Sequence, residues 1–265
     1  MIEIHQVPSE FAKPDAPSAT DCGACGTSER LSFQFEYAFQ PIVDVASRST
    51  YAHEALVRGP AGEGALTVLS QVTEHNRYRF DQACRVKAIK TAAELGMKER
   101  LSINFLPNAV YKPEVCIRTT LEAARAHCFP IDHIIFEVTE GERVEDGPWL
   151  ASILREYKVQ GFLTAIDDFG AGYAGLTLLA DFTPDIIKLD MALVRGVEAS
   201  KSRQAITRGM LRMCQEMGIQ IIAEGVETAA ERDFFLHEGV TLMQGYLFAK
   251  PAFRAITSAT SVAWA

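Results

Sequence analysis

Nowhere in this 265-residue chain do apolar residues run on for the roughly 18 positions that a membrane-spanning helix needs. No membrane association is therefore expected. The opening residues, MIEIHQVPSEFAKPDAPSATD, lack a basic start followed by an apolar core, which argues against secretion and for a cytoplasmic protein. Positive charge is scarce: 26 Lys and Arg stand against 34 Asp and Glu, a formal net charge of -8. A duplex nucleic-acid binder neutralises phosphates and normally carries the opposite sign. Cysteine is thin too. Four of the six, Cys84, Cys116, Cys128 and Cys214, are scattered, which suits a reducing compartment rather than a disulfide framework. Cys22-Gly-Ala-Cys25 is the exception, but zinc needs two more ligands, and only His5 lies in the same tail. Also missing is a Gly-rich phosphate loop after the first strand, which disfavours an open doubly wound sheet.

What is present has the composition of a globular domain, 48% hydrophobic and 23% charged. Residues 1–30, rich in Pro, Ser, Ala and Gly, read as a flexible leader carrying the CxxC, and 31–265 as one domain. In that body, eight short apolar runs alternate with helix-like stretches. The runs are Tyr37–Val43, Tyr51–Val57, Leu101–Phe105, His133–Val138, Phe162–Ile166, Ile186–Leu189, Ile219–Ala223 and Leu242–Phe248. Helices are predicted over Arg79–Leu95, Pro148–Val159 and Lys201–Met217, the last closed by Gly218. Eight strands within about 220 residues predict an α/β fold, a (β/α)8 TIM-like barrel. The link Asp44–Thr50 is too short for a crossover helix, so the first strand is expected to run antiparallel.

The acids fall where these runs end. Glu54 lies on one strand, Asn104 and Glu137 near the ends of two more, and Asp167 and Asp168 close the fifth. Lys188 lies on the sixth, Glu224 follows the seventh, and Gln244 lies on the eighth. Strand ends are where polarity ordinarily begins, so any one of these could be a solvated loop residue. Taken together they interrupt apolar runs with charge (FEVTE, TAIDDFG, IIKLD, IIAEGVE), and buried acids are costly unless paired or bound to metal. Five carboxylates, Glu54, Glu137, Asp167, Asp168 and Glu224, face one ammonium, Lys188, and cannot all ionise in a small pocket without compensation. Two divalent cations supply it, and an all-oxygen ligand set favours Mg2+ or Mn2+. Such a pair is the usual device for attack of water on a phosphodiester. His53 points to the other side of its strand and is read as structural.

The segment Tyr51–Gly59, YAHEALVRG, carries Glu54-Ala55-Leu56 and Arg58. In order along the chain stand FQPI with Gln40, SINF with Asn104, FEVTE with Glu137 and Glu140, DDFGAGY, IKLD, AEGVE with Glu227, and QGYLFAKP. From about Phe35 to Phe253 the chain resembles the EAL-domain cyclic di-GMP phosphodiesterases. The resemblance implies a barrel with an antiparallel first strand, hydrolysis of cyclic di-GMP to linear pGpG, and a homodimer. It implies that Glu54, Asn104, Glu137 and Asp167 hold one metal, and that Asp167, Asp168 and Glu224 hold the other. The catalytic set is Glu54, Asp167, Asp168, Glu224 and Lys188, with Lys188 orienting water. Arg58 would grip a phosphate, and Gln40, Leu56 and Gln244 would complete the substrate pocket. Glu140 would hold the loop Asp168–Tyr173, and Glu227 would support Lys188 or that loop. Ala171 stands where many members have Thr. Relatives that have lost metal ligands serve as cyclic di-GMP receptors or antirepressors, but every expected ligand is present here.

Overall fold

The computed structural model describes residues 31–139, 147–171 and 175–264. The leader with Cys22 and Cys25, Glu140 and Tyr173 lie outside the described residues. Among the described residues nine strands form one sheet: β1 (Glu36–Asp44), β2 (Ser49–Arg58), β3 (Arg100–Asn104), β4 (Ile134–Thr139), β5 (Leu163–Phe169), β6 (Ile186–Leu189), β7 (Gln220–Ala223), β8 (Leu242–Met243) and β9 (Ala252–Phe253). Strands β2 to β8 pair in parallel in sequence order. Strand β1 runs antiparallel to both β2 and β8 and closes the barrel. The short β1–β2 link is a tight turn, as its length required. Strand β9 pairs antiparallel with the other half of the same edge of β1, through Ala38 and Phe39.

Helices follow the strands: α1 (Ala65–Leu69), α2 (Arg77–Glu94), α3 (Pro113–Cys116), α4 (Arg118–Ala126), α5 (Gly147–Val159), α6 (Gly175–Asp181), α7 (Met191–Val194), α8 (Lys201–Met217) and α9 (Ala229–His237). The longest, α2, buries Phe80, Cys84, Ala88 and Ala92, a spacing of four that makes one apolar stripe against the sheet. Helix α8 starts on Ser200, whose hydroxyl accepts from Arg203 N, and stops at Gly218 with φ 70. Helix α9 opens with a capping box between Thr228 and Glu231. Among the described residues no helix is long and apolar enough to cross a membrane.

Strand alternation decides what fills the barrel. Ile42, Ala52, Ile135, Ala165, Ile186, Ile222 and Leu242 form a buried apolar cluster separate from the main core. They are neighbours in register, with Ile42 opposite Ala52, Ala165 opposite Ile186, and Ile222 opposite Leu242. This cluster is the inner layer of the barrel. The other parity packs against the helices.

Behind β3 and β4 sits a buried ion pair. Arg85 meets Asp81 at 2.6 Å and donates to the Tyr157 hydroxyl at 2.7 Å, boxed by Phe105, Phe136 and Tyr157. Asp81 accepts from Leu106 N at 2.9 Å, and so anchors the loop just beyond Asn104.

One predicted strand is much shorter than its apolar run. Strand β8 stops at Met243 instead of reaching Phe248. Gly245 approaches Val226 so closely that a Cβ there would lie 1.9 Å from the Val226 carbonyl oxygen. Hydrogen bonds from Val226 N to Gln244 O and from Leu247 N to Val226 O then turn the chain away from the sheet.

Candidate active site

Stepping two residues toward the C-terminus from the inner apolar layer keeps the same side of each parallel strand. Ala52 leads to Glu54, Ile135 to Glu137, Ala165 to Asp167, Ile186 to Lys188, Ile222 to Glu224 and Leu242 to Gln244. On antiparallel β1 the step reverses, from Ile42 back to Gln40, which lies opposite Glu54. Asn104, two beyond Ser102, lies opposite Glu137. The polar ring is thus the next layer of the barrel, at the strand ends where active sites of this architecture sit.

Asp168 does not fit this alternation, since its neighbour Asp167 already points inward. Two features bring both carboxylates to one side. The β5–β6 register slips between Ile166 and Phe169, a bulge, and Asp168 adopts φ 53 in the left-handed region. Its amide donates to the Asp167 carboxylate at 2.9 Å.

Lys188 stands at the centre, fully buried. Its Nζ lies 2.7 Å from Glu224, 3.0 Å from Glu137, 3.2 Å from Asp167 and 3.3 Å from Glu54. Glu54 also accepts from Gln244 at 2.8 Å and from the Asn104 amide at 3.1 Å. Ser102, an inward residue that the sequence reading passed over, donates to Glu137. Burial would pull the Lys188 ammonium down, but Asp167, Glu137, Glu224 and Glu54 outweigh it and hold its pKa well above the ordinary value. Burial pushes Glu137 up to about 8, with Lys188 opposing and Glu54 and Asp167 adding to the rise. Burial likewise raises Glu224 well above the carboxylate range. Asp168, half buried and beside Asp167 and Asp190, is raised to about 6.

These are the marks of a site with too much negative charge for one lysine. Ligand atoms of Glu54, Glu137 and Asp167 lie within 4.8 Å of one another, and so do those of Asp167, Asp168 and Glu224. Asp167 is common to both groups. Five carboxylates against one ammonium leave a deficit that two divalent cations would fill. The donors are all oxygens, as Mg2+, Mn2+ or Ca2+ prefer. The residues present fit such a pair.

The cluster opens into a cavity of about 300 Å³ lined by Gln40, Glu54, Asp167, Asp168, Glu224 and Gln244 from the expected set. Leu56 and Arg58 do not line it. Arg58, at the end of β2, donates to the Val57 carbonyl at 2.8 Å. Glu227, expected to support Lys188 or the loop after β5, reaches the rim and pairs with Arg195; it is not among the four carboxylates that pair with Lys188. Asp190, Met191, Arg195 and Tyr246 also line the cavity and were not foreseen. Their one sequence signal is adjacency to IKLD and QGY. His53 faces outward as expected, buried, 3.5 Å from the Thr257 carbonyl, with burial lowering its pKa.

The EAL domain family model matches residues 28–251. The chain belongs to the EAL domain family. The blue light- and temperature-regulated antirepressor BluF of Escherichia coli K12 is 33% identical over 93% of this chain and 60% of its own length. The cyclic di-GMP phosphodiesterase PdeR of the same organism is 31% identical over 63% of this chain and 25% of its own length. The chain therefore spans less than two thirds of each of these two relatives. A standalone versatile EAL protein from Vibrio cholerae O395, solved with c-di-GMP, is 55% identical. It superposes with a TM-score of 0.84 over 86% of this chain and 96% of that one. Klebsiella pneumoniae BlrP1, solved with manganese and cyclic di-GMP, is 36% identical, with a TM-score of 0.78 over 86% of this chain and 58% of that one.

Proposed function

We propose that this EAL domain hydrolyses cyclic di-GMP to linear pGpG. The observation that carries the reading is the pair of carboxylate groups joined at Asp167, with Glu54, Glu137, Asp167 and Glu224 gathered around Lys188. The relative PdeR, named as a cyclic di-GMP phosphodiesterase, and solved EAL proteins with bound cyclic di-GMP support the substrate.

Glu54, Asn104, Glu137 and Asp167 would hold one divalent cation, and Asp167, Asp168 and Glu224 the second. When bound, Mg2+ or Mn2+ ions would supply Lewis acidity, making a water nucleophilic and neutralising phosphate charge. The chain's own groups do the positioning. Gln244 and Lys188 both bond to Glu54 Oε2, while Asn104 holds Oε1, so the carboxylate has one orientation. Ser102 fixes Glu137 in the same way. Lys188 remains an ammonium among four carboxylates, so it donates and orients; it does not accept a proton as a base. Gln40 completes the cavity wall, and Leu56 and Arg58 at the end of β2 would meet the dinucleotide outside it, Arg58 on a phosphate. The homodimer, the cytoplasmic setting, loop support by Glu140 and the loop role of Ala171 belong to the same proposal.

The test is direct: purified chain, cyclic di-GMP and Mg2+ or Mn2+, with pGpG followed by chromatography. A metal-dependent pGpG peak is expected. The similarity to the antirepressor BluF supports a second reading, a module that binds without turnover. Binding with no pGpG across both metals would refute hydrolysis and favour it.

A further inference from the structure

At the cavity rim, Arg195 Nη2 meets Glu227 Oε1, with the two side chains 33% and 41% exposed. Solvent screens a pair this open, and it adds little to stability. Yet the backbone beneath it is fixed from several directions. The buried carboxylate of Glu231 accepts from Gly196 N at 3.0 Å, Glu227 N at 2.9 Å and Thr228 N at 3.1 Å. One side chain thereby ties the loop after β6 to the loop after β7. Arg203 holds the Arg195 carbonyl as well, and Gly196 turns the chain with φ 62. Stability does not account for holding an exposed pair so firmly. Presenting it to the cavity does.

We propose that the Arg195–Glu227 pair reads the guanine base of the bound dinucleotide, with Glu231 as its positioning residue. The inference rests on cyclic di-GMP being the ligand. Round the continuous perimeter of its Hoogsteen and Watson–Crick edges guanine offers two acceptors, N7 and O6, and then two donors, N1–H and the N2 amino group. Arg195 keeps its Nε and Nη1 hydrogens out of any hydrogen bond to a described residue, and Glu227 keeps Oε2 out of any. A guanidinium beside a carboxylate is therefore the mirror of that perimeter, donors against N7 and O6, acceptors against N1–H and N2. Adenine carries an amino donor where guanine has O6, and that donor would oppose the guanidinium. Arg195 is the one cationic side chain among the described residues lining this cavity, which also holds Glu54, Asp167 and Asp168. Base and reacting phosphate would thus be held in one space. Tyr246, 55% exposed, lines the same space and offers a ring face for stacking.

Calorimetric binding of cyclic di-GMP and cyclic di-AMP to the full chain, with chelator present so that nothing turns over, tests this. Wild type should prefer cyclic di-GMP. Arg195→Ala and Glu227→Gln should each weaken cyclic di-GMP by about 5–150-fold, the range of a lost bidentate base contact, and move cyclic di-AMP by less than about two-fold. Mn2+ binding followed by electron paramagnetic resonance should be unchanged in both variants, because neither residue is in the carboxylate groups. Unchanged cyclic di-GMP affinity would overturn the proposal. So would equal losses for both ligands, which would place Arg195 on phosphate instead. Base discrimination that depends on Arg195 in a chain yielding no pGpG would defeat the hydrolysis reading while supporting this one.

Discussion

Replacing Lys188 by methionine keeps most of the volume at the centre of the barrel and removes its charge. In the native protein the ammonium lies 2.7–3.3 Å from four carboxylates and is fully buried. At about 3 Å, with an effective dielectric near 20, each such contact is worth roughly 5 kcal/mol before desolvation is subtracted. The contacts do not add, because burying the charges costs a comparable amount. Removing one partner from a buried ionic group typically costs about 3–5 kcal/mol, since the remaining charges lose their compensation. For a chain of this size that lowers the midpoint of thermal unfolding by about 6–20 °C. The loss should depend on pH and on metal. Glu137 and Glu224 already have raised pKa values with Lys188 present, and removing it raises them further. Native carboxylates that hold protons which the unfolded chain releases favour folding at low pH and lose that advantage as pH rises. The gap between variant and wild type should therefore be smaller at pH 5.5 than at pH 8. Divalent cations restore the missing charge, so Mn2+ should close most of the gap even though turnover is lost. Melting curves at both pH values, in chelator and then in Mn2+, measure this. Equal midpoints for variant and wild type in chelator, or no recovery with Mn2+, would refute the reasoning that the cluster is held together by compensation of charge.

Four further outcomes follow from the same geometry. Metal-free wild type should lose stability as pH rises from about 5 to 8, because Glu137 titrates near 8 when folded and near 4.5 when not; urea midpoints across that range give the sign. Glu54→Gln removes a charged ligand and sets an amide against the donors of Asn104, Gln244 and Lys188, so Mn2+ affinity should fall by at least about 100-fold, read by titration, and pGpG formation with it. At Asp168, φ 53 costs an ordinary residue about 1 kcal/mol, so in chelator Asp168→Gly should melt above Asp168→Ala, while both lose the second group of ligands and activity. Gly245→Ala would drive a Cβ into the Val226 backbone and displace Gln244, whereas Gly218→Ala meets nothing within 4 Å; comparing their melting curves and turnover should show the first crippled and the second costing about 1 kcal/mol.

Much of the architecture was legible in the chain itself. Periodicity separated strands from helices, and the seven-residue link between the first two strands required β1 to run antiparallel. The step of two from an apolar residue to a charged one, Ile135 to Glu137 or Ile186 to Lys188, is local, because alternation is a property of each strand by itself. In the sequence, the fall of the acids at the ends of the apolar runs pointed to one rim, and their unbalanced charge implied cations. Other features depend on contacts between segments remote in sequence. The apolar run Leu242–Phe248 ends as a strand at Met243 because Gly245 meets Val226. Asp168 joins Asp167 on one side because the β5–β6 register slips, which no property of the pair Asp-Asp encodes. Ser102 became visible as a partner of Glu137 only when β3 and β4 lay side by side. Arg195 reaches the cavity because Glu231, thirty-five positions beyond Gly196, pins the loop that carries it. Local alternation fixed which residues face inward, and the packing of one strand end against another decided which of them share a cavity.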